Sequence, residues 1–134
     1  MSAADVEVVR EMLEAFNRGD YEGSTAMFDD RIEMHQAPEV PDSDTYVGKD
    51  EFLRGMARWL SGFERGFQYL PEELVDCDDR IFARVGLRGV GRGSGVELED
   101  EIYHVYEVRD RKIVRLYVLW NESEARKLAG LAAE

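Results

Sequence analysis

The stretch Val96-Glu-Leu-Glu-Asp-Glu-Ile-Tyr-His-Val-Tyr-Glu-Val-Arg-Asp-Arg-Lys-Ile-Val-Arg-Leu-Tyr-Val-Leu-Trp120 decides the fold, because it reads as one long β-hairpin folded about Asp110-Arg111. A two-residue turn sets Arg109 opposite Lys112. It therefore sets His104 opposite Tyr117, Tyr106 opposite Arg115 and Val105 opposite Leu116. Pairing sorts the side chains onto two chemically different faces. One collects Tyr103, Val105, Val114, Leu116, Val118 and Trp120, and the other Asp100, His104, Tyr106, Arg115 and Tyr117.

Working outward, two more strands precede the hairpin, roughly Phe67 to Asp76 and Arg80 to Arg92, with turns at Asp78-Asp79 and Gly93-Ser94-Gly95. A three-residue loop at the glycines sets Arg84 opposite His104 and Arg88 opposite Asp100, so that Ile81, Ala83, Val85 and Leu87 extend the apolar face. Upstream, Val6, Val9, Leu13 and Phe16 recur at helical spacing after Asp5, and Gly19 supplies a stop. Asp20 can cap a short second helix carrying Tyr21, Met27 and Phe28. Arg31-Ile-Glu-Met-His35 then alternates like a strand, and a loop runs from Gln36 to Val47. After Gly48, the residues Phe52, Met56, Trp59, Leu60 and Phe63 mark one aromatic helix face. Asn121 with Glu124 opens a last helix carrying Leu128 and Leu131. Helices followed by an antiparallel meander predict an α+β fold with the helices on one face of a curved sheet.

The 134 residues suffice for one domain with a real core. A net charge of −12 argues against nucleic acids and anionic membranes as partners, since both select clustered Lys and Arg. One cysteine, Cys77, fits a reducing cytoplasm; the neighbouring Asp76, Asp78 and Asp79 raise its thiol pKa and make it a poor nucleophile. No Cys/His cluster has metal-ligand spacing, so no metal or other cofactor is expected. The start Met-Ser-Ala-Ala-Asp-Val-Glu lacks the pattern of an export signal, and no apolar run approaches membrane-spanning length. The run Gly89 to Gly95 does not have dinucleotide-fingerprint spacing.

Four segments carry a family resemblance: Val9-Arg-Glu-Met-Leu-Glu-Ala-Phe-Asn-Arg-Gly-Asp20, Arg31-Ile-Glu-Met-His35, Thr45-Tyr-Val-Gly-Lys49 and His104-Val-Tyr-Glu-Val-Arg-Asp-Arg-Lys-Ile-Val114. With them the chain resembles the SnoaL-like branch of the nuclear transport factor 2-like superfamily over nearly its whole length. The resemblance implies a single domain over residues 1–134, a cone of curved antiparallel sheet with the N-terminal helices on its concave face. Members include polyketide cyclases, epoxide hydrolases, isomerases, dehydratases and many non-catalytic binders, so the fold leaves the activity open. In the cyclases and limonene epoxide hydrolases, a carboxylate on the last strand falls at the position of Val118. The hydrolase's further Arg and Asp fall near Val85 and Leu87. All three positions are apolar here, and Val118 cannot abstract a proton.

The expected ligand wall is Trp59, Phe63, Val85, Leu87, Tyr103, Val105, Leu116, Val118 and Trp120, around a small hydrophobic molecule. Glu101 and His35 are the candidate bases and Tyr103 the candidate oxyanion donor. Glu101 stands among Glu97, Glu99 and Glu107, which also fits a solvated strand end. Alternation from Ile32 and Met34 points His35 away from the core unless the strand bulges. Arg84, His104, Tyr106, Arg115 and Tyr117 read as a homodimer contact, rich in the Arg and Tyr that interfaces favour. Three functions remain open: a binder of a hydrophobic metabolite, a cofactor-independent cyclase, isomerase or hydrolase, and a protein interaction module.

Overall fold

The computed structural model describes residues 3–36, 45–64 and 67–131. It opens with α1 (Ala3–Asn17), whose Val9, Met12, Leu13 and Phe16 form one buried stripe. Gly19, at φ 84°, takes the left-handed conformation that ends the helical run. Asp20 caps α2 (Tyr21–Thr25), its carboxylate accepting from the Gly23 amide at 2.9 Å. The sequence pattern carries this helix through Phe28. Instead Phe28 opens β1 (Phe28–Gln36), because it finds a strand partner in Ile113 and a ring contact at 4.6 Å in Phe52.

The expected loop from Gln36 to Val47 ends in a strand, β2 (Thr45–Val47), on the free edge of β1; its residues 37–44 lie outside the described residues. Helix α3 (Lys49–Leu60) follows Gly48 and buries Phe52 and Gly55, the latter against the Tyr46 ring. Four strands complete the sheet: β3 (Gln68–Asp76), β4 (Ile81–Val90), β5 (Glu97–Arg109) and β6 (Lys112–Leu119). Helix α4 (Glu122–Ala129) comes last, with the Asn121 side chain accepting from the Glu124 amide at 2.9 Å.

The fold is α+β, a curved and unclosed six-stranded sheet in the order β2-β1-β6-β5-β4-β3. Strands β3 to β6 form the expected antiparallel meander. The sheet is nevertheless mixed, since β1 joins β6 in parallel. Helices α1 and α3 pack on one face, where Val9, Leu13 and Phe52 meet Ile32, Ile81, Val85, Leu87 and Ile113. Helix α4 lies on the opposite face and covers Phe82, Tyr103 and Val105 with Ala125 and Ala129.

The hairpin turn is as the sequence predicts: Asp110 and Arg111 take φ of 51° and 62°, and Arg109 faces Lys112. The register beyond it differs by one residue. Val108 faces Ile113, but Glu107 faces Arg115, so Val114 is an extra, bulged residue. Val105 therefore sits opposite Tyr117 rather than Leu116, and Tyr106 opposite Leu116 rather than Arg115. The β4–β5 register shifts as well. Its loop has four residues rather than three, because the Gly91 amide donates to the Val96 carbonyl at 2.8 Å, and Arg84 faces Tyr103 rather than His104. Because the strand period is two, each one-residue slip exchanges the faces. His104 and Tyr106 move to the helix side and Tyr103 and Val105 to the other, while Ile81, Ala83, Val85 and Leu87 keep the expected face.

Candidate functional site

Between the helices and the concave face of the sheet lies a cavity of about 360 Å³. Helix α1 supplies Met12, Leu13 and Phe16 from its buried stripe. Helix α3 forms the facing wall with Phe52, Met56, Trp59 and Leu60, four of the five residues that mark its aromatic face in the sequence. The floor is built from Leu87 of β4, Ile102, His104 and Tyr106 of β5, and Leu116 and Val118 of β6, with Met34 and Gln36 of β1 beside them. Trp120, just past β6, and Tyr21, on α2, also line it. Both are partly exposed, as is Trp59.

Among the described residues, none that lines the cavity is Asp, Glu, Lys or Arg. Its polar groups are few, and most are occupied. Ser24 donates to the Met12 carbonyl at 3.0 Å and Thr25 to the Glu22 carbonyl at 3.1 Å. The Tyr69 hydroxyl is hydrogen-bonded to Trp59, and burial raises its pKa. His104 Nδ1 and the Tyr106 hydroxyl lie 2.7 Å apart, with the two rings edge to face. Burial lowers the His104 pKa to about 4 and raises that of Tyr106, so both are neutral near pH 7. Among the described residues, no group of three or more His, Cys, Asp or Glu could hold a metal ion.

Of the expected ligand wall, Trp59, Leu87, Leu116, Val118 and Trp120 line this cavity. Val85 is fully buried in the core beside it, and Phe63 packs at its edge against Phe67 and Trp59. Tyr103 and Val105 are corrected to the opposite face by the register slip, and lie under α4. His104 and Tyr106, read from the sequence as a dimer contact, are buried in the cavity for the same reason. The apolar pair Val108 and Ile113 beside the turn could have found them, since counting back in twos from Val108 reaches Tyr106 and His104.

The three candidates for catalysis stand outside the cavity. Glu101 accepts a 2.6 Å hydrogen bond from the Tyr103 hydroxyl on the face that carries α4. Burial, then this carboxylate, push the Tyr103 pKa up. His35 stacks on Tyr117 at 5.0 Å and reaches Glu33 and Thr45 at 3.3 Å each, so strand alternation holds and no bulge turns it inward. That outer face is a saturated polar network around Glu107. Its carboxylate accepts from Arg80 at 3.1 Å, Arg115 at 3.0 Å and Tyr117 at 3.4 Å. Cys77 is half-buried, and burial first, then Asp76 and Asp78, raise its pKa, so it is no nucleophile.

No curated protein matches the chain. Solved structures share the fold at low identity. An NTF2-like protein of unknown function from Burkholderia pseudomallei is 21% identical, with 96% of this chain and 98% of that one aligned at a TM-score of 0.74. TerC, co-crystallised with polyporic acid, is 16% identical over 96% of this chain and 99% of its own, at 0.77. A protein from Catenulispora acidiphila with a ketosteroid isomerase-like fold, in complex with trimethylamine, is 14% identical over 95% of each chain, at 0.72. The model of the SnoaL-like domain matches residues 9–116, which run from α1 to the Leu116 that floors the cavity, and the chain belongs to that family.

Proposed function

We propose that the protein binds a small hydrophobic molecule in the cavity between α1, α3 and the sheet. The observation that carries this reading is the lining itself: about 360 Å³ of space to which the described residues bring no carboxylate, ammonium or guanidinium group. Hydrolysis or proton abstraction would need a general base within hydrogen-bonding reach, and the imidazole on the floor, His104, has its Nδ1 engaged by Tyr106 and its basicity lowered by burial. Glu101 and His35 are committed elsewhere, and Val118 stands in the wall. The binding reading is therefore preferred to the cyclase, isomerase or hydrolase reading. Relatives crystallised with polyporic acid and with trimethylamine add support that this scaffold accommodates small molecules.

Native mass spectrometry of the gently purified protein tests it. The expected result is a population carrying a small organic adduct, which mild activation releases and which Leu116→Trp, filling the cavity, removes. An adduct kept in full by Leu116→Trp would place the ligand elsewhere and defeat the reading.

A second observation favours the interaction of two copies through the outer face. Arg115 and Tyr117 stay part-exposed there, and Arg and Tyr are the residue types that interfaces favour. Sedimentation of wild type against Tyr117→Glu at micromolar concentration tests this, and a wild type that sediments as a monomer would end it.

A further inference from the structure

Resting on the binding reading, we infer that the cavity selects uncharged ligands bearing a hydrogen-bond acceptor, and that His104 Nε2–H is the donor that reads it, held in that tautomer by Tyr106. The side chain of His104 is buried on the cavity floor at 6% exposure, yet it is the one imidazole there, amid aliphatic and aromatic groups. Its Nδ1 is used by the Tyr106 hydroxyl at 2.7 Å. Its Nε2 has no partner among the described residues and is not enclosed by protein, so it faces the cavity.

The tautomer follows from satisfying both groups. The Tyr106 side chain is fully buried, and Nδ1 is the partner of its hydroxyl among the described residues. A phenol carries one proton to give away. If Nδ1 carried hydrogen, it would donate to the phenolic oxygen and leave that proton buried with no acceptor, at a cost of about 1–3 kcal/mol. If the phenol donates to Nδ1, both atoms are satisfied and the single imidazole hydrogen resides on Nε2. The cavity is thus presented with a fixed imidazole N–H. A ligand with a carbonyl, ether or hydroxyl oxygen near its buried end satisfies it, and a pure hydrocarbon leaves it dry and unpaired. Among the described residues a carboxylate would meet neutral donors and no cation, so anionic ligands are rejected although the N–H itself could donate to them.

Three probes of similar shape separate these claims: 2-acetylnaphthalene, 2-isopropenylnaphthalene, which replaces the carbonyl oxygen by CH2, and sodium 2-naphthoate, each titrated calorimetrically at pH 7. Wild type should prefer the ketone to the alkene by about five- to tenfold and to the carboxylate by at least about tenfold. His104→Phe should bind ketone and alkene equally, and His104→Gln, which keeps an N–H, should retain part of the preference; melting curves confirm that each variant is folded. Long-range proton–nitrogen NMR of the imidazole should show the Nε2–H form in wild type and a mixture in Tyr106→Phe, a change that loss of packing alone would not produce. Equal binding of ketone and alkene by wild type, an undiminished preference in His104→Phe, tight naphthoate binding, or an Nδ1–H imidazole would each overturn the inference while leaving the cavity a binding site. Failure of all three probes to bind would overturn the binding reading itself and this inference with it.

Discussion

The two faces of the β5–β6 hairpin are built from alternate residues of the same short stretch, yet they solve opposite problems. On the concave side His104, Tyr106, Leu116 and Val118 bound a space around which the described residues place no formal charge. On the outer side Glu107 gathers Arg80, Arg115 and Tyr117, while Phe82 and Val105 disappear under α4. One face leaves room and an imidazole donor, and the other is packed and ion-paired. The contrast teaches that period-two alternation can put a packed, saturated surface within one sheet thickness of an unfilled site, provided the register is held.

Packing should break the symmetry most strongly. Phe82 is fully buried beneath α4, its ring stacked near Tyr103 and capped by the Arg126 guanidinium at 4.6 Å. Phe82→Ala is expected to cost about 3–5 kcal/mol in urea unfolding, whereas Leu116→Ala, which already borders empty space, should cost about 2 kcal/mol. Equal losses would mean that the cavity closes up in solution.

Acid should probe the concave face selectively. His104 binds a proton near pH 6.5 when unfolded and only near pH 4 when folded, so the unfolded chain holds more protons between those values. The penalty is absent above pH 6.5, grows as pH falls, and levels off below pH 4 at on the order of 3 kcal/mol. Wild type should lose that much more stability than His104→Gln across this window. Parallel pH profiles for the two proteins would remove His104 from the buried side.

The outer face should respond least. Glu107→Gln leaves Arg80 and Arg115 facing a neutral amide and is expected to cost about 1–2 kcal/mol. Glu33→Gln, whose partners Arg115 and His35 are half exposed, should cost under about 0.5 kcal/mol. If the smaller effect came from Glu107, the network would be decoration on the surface rather than part of the fold.

The fold could be read from the chain because each large element carried its own local signal. The stripe Val9, Leu13, Phe16 marked α1, Asp20 and Asn121 marked their caps, and the Asp110-Arg111 turn set the hairpin. The site was harder to read because its assignment rests on single-residue counting. Val114 bulges and the Gly91 to Val96 loop carries one residue more than the glycines suggest; neither leaves a trace in local propensity. The helix wall around Trp59 needed no count and was found. His104 and Tyr106 needed two and were placed on the wrong side. The parallel pairing of β1 with β6 is likewise a long-range choice, made by Met34 and Gln36 meeting Leu116 and Val118.

The tryptophans have a consequence of their own. The chain holds two, Trp59 and Trp120, and both stand in the wall of the same cavity. The near-ultraviolet emission of the whole molecule is therefore a local signal, coloured by whatever stands in that space and silent about the outer face. An unlabelled sample carries its own lamp at the doorway of the site.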